Sequence, residues 1–318
     1  MNLADLTTLR LGGPVGELIT CTTEEQLVEA ALSGAYVLGG GSNVVMPDVG
    51  LDTVALVRTD GWFQYGEVLS VHAGIPWDAV VEKTLAAGLT GFEAMSGIPG
   101  TVGAAPIQNI GAYGAEVSSY LVSVRALDRS TGEITEIAKD DCGFAYRTSR
   151  FKQEAGRWVV LSVDFQLPSE PQPVRYAELA KALGVEVGEA ADPQRVRDAV
   201  LALRRSKGMV LDPADPDSVS AGSFFTNPLV DEAPVGAPSW PDPSGLVKTS
   251  AAWLIEHSGF GKGWGDGRIG LSGKHTLALV NRGGGTTTEL LEVMRTIQSG
   301  VRERFGIELV NEPVIVDR

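Results

Sequence analysis

Apolar positions recur along this chain with the periods of both helices and strands, and this mixture predicts an α+β protein. One long helix is predicted near the C-terminus, where Thr286-Thr-Thr-Glu289 has the spacing of a capping box. Apolar residues follow it at steps of three and four: Leu290, Met294, Ile297, Val301 and Phe305. Capping residues, proline positions and apolar spacing predict further helices near Thr23, over Trp77–Ala87, after Asp192 and over Ser250–His257.

Short apolar runs bounded by glycine, proline and polar residues predict the strands. Alternation within 158–167 places Val159, Leu161, Val163 and Phe165 on one face of a strand. Residues 128–133 (Asp-Arg-Ser-Thr-Gly-Glu) have turn composition and predict a hairpin between their flanking runs. The predicted strands are 36–38, 54–57, 68–72, 122–127, 134–137, 158–167, 224–225, 276–280 and 309–316.

A break in periodicity at residues 208–220, which contain Pro213 and Pro216, predicts a domain boundary. The length of 318 residues also favours more than one core. We expect three domains, over residues 1–60, 61–207 and 208–318.

Two glycine-rich loops without charge point to a ligand. Residues 39–43 read Gly-Gly-Gly-Ser-Asn, and residues 96–114 read Ser-Gly-Ile-Pro-Gly-Thr-Val-Gly-Ala-Ala-Pro-Ile-Gln-Asn-Ile-Gly-Ala-Tyr-Gly. Glycine allows a close approach of the backbone, and exposed backbone N–H groups bind anions. Two such loops predict a ligand with two linked phosphates.

Composition and charge restrict the classes of partner that we expect for this protein. A formal net charge of −14 disfavours a nucleic-acid partner, which would require a basic face. The two cysteines, Cys21 and Cys142, lack the spacing of a metal or redox motif, and the three histidines are scattered, so we expect no metal. No apolar stretch is long enough to span a bilayer, and we expect a cytoplasmic protein without a membrane partner.

Three residues have a structural and a chemical interpretation. Glu312 alternates with Val310, Val314 and Val316, so it is either an acid on an apolar face or an edge residue turned to solvent by Pro313. Ser223 lies between Gly222 and two phenylalanines and is either a turn residue or part of a site. Arg147 is either a surface charge or a bidentate partner for a carboxylate.

Taken together, five segments and the final Glu312-Pro313 resemble the UDP-N-acetylenolpyruvoylglucosamine reductase family over nearly the whole chain. The segments are residues 39–43, 96–100 and 108–114, Tyr146-Arg147 and the block Gly-Ser-Phe-Phe-Thr-Asn-Pro at 222–228. One departure follows Lys207, where the family commonly has Leu-Pro-Asp-Pro. This chain instead has a longer acidic connection, Gly-Met-Val-Leu-Asp-Pro-Ala-Asp-Pro, at residues 208–216.

The resemblance implies an FAD-binding fold of the vanillyl-alcohol-oxidase type. It implies two α+β subdomains, 1–60 and 61–207, the second with a substrate-loop insertion, and a C-terminal α/β substrate-binding domain, 208–318. It also implies FAD and NADPH as the reductant. The glycine-rich loops contain no histidine or cysteine that could link the flavin, so we expect noncovalent FAD. We also expect a monomer. The implied reaction, in peptidoglycan precursor synthesis, reduces UDP-N-acetylglucosamine enolpyruvate to UDP-N-acetylmuramate, with hydride from flavin N5 to C3 and a proton to C2.

The resemblance also assigns residues. Ser223 matches the proton donor, and Arg147 and Glu312 match the groups that stabilise the developing enolate. Tyr176 matches a tyrosine of one subtype, on an insertion over the UDP. The substrate-binding set is Tyr146, Tyr176, Lys207, Asn227, Lys248 and His275. The FAD-binding set is Gly39, Gly40, Gly41, Ser42, Asn43, Ser96, Gly97, Ile98, Gly100, Gly103, Ala104, Gln108, Asn109, Gly111, Ala112 and Tyr113.

Two alternatives remain open at this point. One is another noncovalent FAD oxidoreductase of the same fold that acts on an alcohol, against which the block around Ser223 argues. The other is a catalytically idle sensor of a flavin or a nucleotide sugar, which would be expected to lack Ser223, Arg147 or Glu312.

Overall fold

The computed structural model describes residues 1–242 and 244–317, which form two compact units. The larger unit comprises Val15–Gly40 and Asp52–Arg205. The smaller unit comprises Met1–Pro14, Gly41–Leu51 and the described part of Ser206–Arg318. These units divide the chain by contacts, and the three domains at 1–60, 61–207 and 208–318 stay a prediction.

The predicted helices are confirmed, with boundaries close to the expected ones. Thr23 and Thr286 cap their helices as the sequence predicts, since each hydroxyl accepts a hydrogen bond from the N–H three residues on. None of the helices in the described residues is both long and apolar enough to cross a bilayer. The helices are α1 (Glu24–Leu32), α2 (Trp77–Ala86), α3 (Arg150–Gln153), α4 (Ala177–Leu183), α5 (Pro193–Ser206), α6 (Ala251–His257) and α7 (Thr287–Phe305).

The strands are short and form several small sheets. They are β1 (Val15–Cys21), β2 (Tyr36–Leu38), β3 (Val44–Val45), β4 (Leu51–Val57), β5 (Trp62–Tyr65), β6 (Val68–His72), β7 (Gly111–Ala112), β8 (Ala115–Glu116), β9 (Leu121–Asp128), β10 (Glu133–Ala138), β11 (Trp158–Gln166), β12 (Leu229–Val230), β13 (Ser239–Pro241), β14 (Val247–Thr249), β15 (Ile269–Leu271), β16 (Leu279–Asn281) and β17 (Val314–Ile315).

The larger unit is built on a five-stranded sheet of order β10-β9-β11-β6-β5. The hairpin predicted around 128–133 joins β9 to β10, which pair antiparallel from Asp128 opposite Glu133. A separate sheet of order β1-β4-β2 carries the first glycine-rich loop, because that loop begins where β2 ends.

The prediction that four residues of β11 share one face is wrong. The register of β11 against β9 shifts between Val160 and Ser162, as expected for a β-bulge. Val159 and Leu161 pack in one apolar core with α1, whereas Val163 and Phe165 pack in another with α2. The extra residue reverses the alternation, and both faces of the strand are buried.

The smaller unit has its own core, formed by α6, α7 and the segments around them. β17 pairs in parallel with β3, with Val314 opposite Val44, and this pairing holds part of residues 41–51 in the smaller unit. The predicted strand 309–316 shortens to β17, and 276–280 shifts to β16. The predicted strand at 224–225 is wrong, because Phe225 makes only an isolated bridge with Asn311.

Candidate functional site

In the larger unit, the two glycine-rich loops touch backbone to backbone. A Cβ placed on Gly40 would lie 2.6 Å from the Cα of Gly100, and one on Gly39 would lie 2.7 Å from Oγ1 of Thr101. No larger residue fits at either position without a shift of the neighbouring loop. The glycines therefore set the spacing between the loops.

The second loop is held from outside by α2 and the strand before it. Gly97 N–H donates to Oδ1 of Asp78 at 2.7 Å, and Gly103 N–H donates to the carbonyl of Ala73 at 2.9 Å. The N–H groups of Gly40 and Gly100 donate no hydrogen bond within residues 1–242 and 244–317. Backbone N–H groups in glycine-rich loops are suited to a phosphate oxygen, so the loops fit a pyrophosphate.

Three predicted site residues have backbones in the left-handed region, which is uncommon outside glycine. Asn109, Tyr113 and Arg147 have φ values of 48°, 49° and 54°. Such conformations persist where the surrounding structure enforces them, and they cluster at binding sites. Here Asn109 donates from Nδ2 to Oε2 of Glu116 at 3.0 Å and to the carbonyl of Ala145 at 3.2 Å. The amide thus ties the second loop to the segment that carries Arg147.

Arg147 is fixed by the loop that it faces. Its Nη2 donates to the carbonyl of Gly111 at 2.6 Å and its Nη1 to that of Asn109 at 3.3 Å. The guanidinium also lies 5.3 Å from the ring centroid of Tyr146. The predicted residues Tyr146, Arg147, Asn109 and Gly111 therefore come together in the larger unit.

A second arginine adds positive charge near this group. Arg204 of α5 is buried, and burial lowers the pKa of its guanidinium to about 10. Tyr113 and Asp78 oppose that shift, while the charge of Arg147 adds to it. The neighbouring guanidinium groups of Arg147 and Arg204 add positive charge to this part of the larger unit, which suits an anionic ligand.

Tyr113 and Tyr176 meet edge to face with ring centroids 5.6 Å apart. Burial raises the pKa of Tyr113 to about 12, so its hydroxyl stays protonated at neutral pH. Beside this pair lies a cavity of about 180 Å³, lined in part by Glu93, Tyr120 and Arg175. The segment before α4 thus lies against the second glycine-rich loop, and its role as a substrate-loop insertion stays a prediction.

In the smaller unit, Ser223 lies next to His275. Its Oγ is 3.5 Å from Nε2 of His275, and Gly222 before it has a φ of 70°. Phe224 N–H donates to the carbonyl of Leu277 at 2.6 Å, which joins the serine segment to the turn that carries the histidine. The two phenylalanines that follow are buried and anchor the segment in the core.

Glu312 reaches the same segment by its backbone. Its N–H donates to the carbonyl of Phe224 at 2.8 Å. The pattern argument for an apolar face is wrong, because Val310 and Val314 are exposed and Pro313 is buried. The segments that carry Glu312 and Ser223 nevertheless pair, through a bridge between Phe225 and Asn311 rather than through a long strand.

The other predicted substrate residues of the smaller unit are more dispersed. Asn227 accepts a hydrogen bond from Ala251 N–H at 3.0 Å and thereby supports the start of α6. Lys248 lies in β14, opposite Leu229, and Lys207 directly follows α5. Their assignment to the substrate stays a prediction.

Sequence reasoning missed two residues that hold the second loop. Arg197 of α5 is buried and forms a two-point ion pair with Asp78, at 2.7 and 2.8 Å. Asp78 in turn accepts from Gly97, so α5 is linked to the glycine-rich loop. One clue was available: Arg197 and Arg204 are seven residues apart and share the buried face of α5 with Val200.

Two family models match this chain, one over the range with the glycine-rich loops and one over the range with Ser223 and Glu312. Residues 18–138 match the family model "FAD binding domain", and residues 213–316 match "UDP-N-acetylenolpyruvoylglucosamine reductase, C-terminal domain". The UDP-N-acetylenolpyruvoylglucosamine reductase of Streptomyces coelicolor is 49% identical, over 99% of this chain and 88% of the relative. This chain belongs to the UDP-N-acetylenolpyruvoylglucosamine reductase family.

Further members of the reductase family support the assignment. The reductase of Thermobifida fusca is 48% identical, over 99% of this chain and 96% of the relative. The crystal structure of the reductase from Thermus caldophilus matches with a TM-score of 0.70 and 27% identity, over 100% of this chain and 98% of that chain. The predicted family and fold class are confirmed, while the subtype with the substrate-loop tyrosine stays a prediction.

Proposed function

We propose that this chain catalyses the NADPH-dependent reduction of UDP-N-acetylglucosamine enolpyruvate to UDP-N-acetylmuramate, a step of peptidoglycan precursor synthesis, with noncovalent FAD. Membership of the reductase family carries this proposal, and the contact between Ser223 and His275 supports the chemistry. The match of residues 18–138 to an FAD-binding domain supports the cofactor, since that range contains both glycine-rich loops.

The loop geometry fits FAD. Gly39, Gly40 and Gly100 leave room for close approach, and the N–H groups of Gly40 and Gly100 can hold its pyrophosphate. When bound, FAD supplies through N5 the hydride that it receives from NADPH and that is added to the enolpyruvyl C3. The other predicted FAD contacts, from Gly41 through Tyr113, stay part of this proposal.

Ser223 supplies the proton in the proposed reaction. As C3 receives hydride, electron density builds at C2 and on the attached carboxylate, and the Oγ–H bond of Ser223 breaks while a C2–H bond forms. A hydroxyl is a weak acid in water, so its effect depends on position near a strongly basic carbon. Its place between a glycine and two buried phenylalanines supports such positioning.

Arg147 as a cation and Glu312 as an acid that donates a hydrogen bond stabilise the enolate-like charge in this proposal. A guanidinium suits a carboxylate because of its two-point geometry, and preorganised charge lowers the barrier without reorganisation during the reaction. The carbonyl groups of Asn109 and Gly111 fix the guanidinium of Arg147 in advance. Tyr146, Tyr176, Lys207, Asn227, Lys248 and His275 complete the proposed substrate contacts.

We further propose a cytoplasmic monomer. Two buried, free cysteines are consistent with a reducing compartment. The net charge of −14 disfavours self-association.

An anaerobic titration tests the proposed function. NADPH added to the FAD-loaded protein should bleach the flavin absorbance, and UDP-N-acetylglucosamine enolpyruvate should restore it. Bleaching without recovery would contradict the substrate and favour an FAD enzyme that acts on an alcohol. Absence of a flavin band after addition of FAD would contradict both.

A further inference from the structure

Residues 212–217, the acidic connection from here on, overlap the segment 208–216 in which this chain departs from the common family pattern, and they contact the turn that carries His275. We propose that this connection positions His275 against Ser223, and that Asp215 is the positioning residue. The inference rests on the proposed role of Ser223 as proton donor. It assigns a function to a segment that the reaction itself does not explain.

Two contacts join the connection to the turn at residues 272–278. Nζ of Lys274 lies 2.8 Å from Oδ2 of Asp215, and Gly273 N–H donates to Oδ1 of Asp217 at 3.3 Å. Lys274 directly precedes His275. The connection therefore holds the backbone of the turn immediately before the histidine.

The connection is itself well ordered by internal hydrogen bonds. Ser218 is buried, and its hydroxyl oxygen lies 2.8 Å from the carbonyl oxygens of both Asp212 and Asp215, either of which can accept its one hydrogen. Oδ1 of Asp215 accepts from Asp217 N–H at 3.1 Å, which leaves Oδ2 for Lys274. One carboxylate thus stabilises the connection and the turn at once.

The turn is also held by hydrogen bonds that do not involve the acidic connection. Ser272 Oγ accepts from the N–H groups of Lys274 and His275, at 2.9 and 3.1 Å. Thr276 donates to Oε1 of Glu256 at 2.8 Å. With both sides fixed, the imidazole of His275 is placed at the 3.5 Å contact with Ser223.

This placement has a chemical consequence. After Ser223 gives its proton to C2, the serine oxygen must regain one before the next turnover. His275 can relay one: the Nε2–H bond breaks as the serine O–H bond forms, while Nδ1 takes a proton from a solvent water, so the ring stays neutral and hydroxide passes to solvent. A displaced turn would slow the return of the proton to Ser223 and would leave its hydroxyl less well oriented.

The test compares Asp215→Asn with the matched control Asp212→Asn. Asparagine at 215 keeps an acceptor for Asp217 N–H but loses the ion pair with Lys274. Asp212→Asn removes the same charge from the same segment, at a carboxylate that accepts from Ala214 N–H and acts on Lys274 only through a weaker coulombic interaction. Exposed ion pairs typically contribute ~0.2–1 kcal/mol. We therefore expect Asp215→Asn to slow flavin reoxidation by the enolpyruvyl sugar by about 1.4-fold to fivefold, with flavin reduction by NADPH unchanged.

Charge reversal and a second background make the test specific. The double variant Asp215→Lys with Lys274→Asp should recover part of the lost reoxidation rate, because it restores the ion pair but not the acceptor for Asp217 N–H. In a Ser223→Ala background, Asp215→Asn should have no additional effect. Equal slowing by Asp212→Asn, equal loss in both half-reactions, or full additivity with Ser223→Ala would each overturn the inference. Failure of the unsubstituted protein to reoxidise with the sugar would instead remove the proposed function, and this inference with it.

Discussion

Gly40 and Gly100 lie so close that a Cβ on Gly40 would stand 2.6 Å from the Cα of Gly100. The two residues come from loops that are sixty positions apart in sequence, and both are in the larger unit. Because backbone faces backbone, neither loop can yield by rotating a side chain. Any added atom must move a loop and the N–H groups that it presents.

Gly40→Ala should therefore weaken FAD binding more than it lowers stability. Overpacking costs ~1–3 kcal/mol, and we expect the dissociation constant of FAD to rise about fivefold to a hundredfold. Fluorescence titration of the flavin-free protein measures this constant. Gly261→Ala is the control, since a Cβ there meets no atom within 4 Å. Equal FAD affinity in both variants would contradict the assignment of this loop.

Ser223→Ala should separate the two half-reactions. Flavin reduction by NADPH should stay near the unsubstituted rate, because the serine has no part in it. Reoxidation by the enolpyruvyl sugar should slow by roughly a hundredfold or more, the scale of losing one preorganised transition-state contact. Stopped-flow absorbance under anaerobic conditions measures both rates. Equal slowing of both would contradict the role as proton donor.

Asp78→Asn should destabilise the larger unit, because it leaves the buried Arg197 with a weaker partner. Hydrogen bonds to charged groups contribute ~1.5–3 kcal/mol. Because Asp78 is partly exposed, solvent screening reduces the contribution of its ion pair with Arg197. We therefore expect a loss of ~1–2 kcal/mol in the free energy of unfolding. Urea denaturation with and without FAD provides the measurement. Glu82→Gln is the control, since the more exposed Glu82 contacts the same arginine. A larger loss of stability in Glu82→Gln than in Asp78→Asn would contradict the assignment of Asp78 as the main partner of Arg197.

Asp128 should contribute stability that depends on pH. Hydrogen bonds from Arg157 and Ser130 hold the pKa of this carboxyl well below its usual range. A carboxyl with a depressed pKa in the folded state stabilises the protein above its unfolded pKa, about 3.9, and loses that contribution as pH falls further.

The corresponding measurement is urea denaturation of the unsubstituted protein and Asp128→Asn between pH 3 and pH 7. The difference in free energy of unfolding should be constant above about pH 5 and should shrink below about pH 4. Glu133→Gln, in the same hairpin, controls for the loss of a carboxylate. A difference that is unchanged at pH 3 would contradict the prediction.

The sequence by itself determined the elements whose causes are local. The helix after Thr286 follows from a capping box and a 3.6-residue period, and the hairpin at Asp128 follows from turn composition. The motifs also determined the family, because each glycine-rich loop and the block around Ser223 is a continuous stretch of sequence that can be recognised by itself. None of these required knowledge of distant contacts.

Only the tertiary structure decided the features that depend on contacts between distant residues. A bulge in β11 reversed the faces expected from alternation, and the exposure of Val310 and Val314 removed the apolar face expected around Glu312. The ion pair of Asp78 with Arg197, 119 residues away, has no local signature in the chain. The same holds for the contact of Ser223 with His275. The hydrophobic period and the capping residues depend on the immediate sequence neighbours of a residue. Strand register and buried ion pairs depend instead on which distant segments the fold brings together.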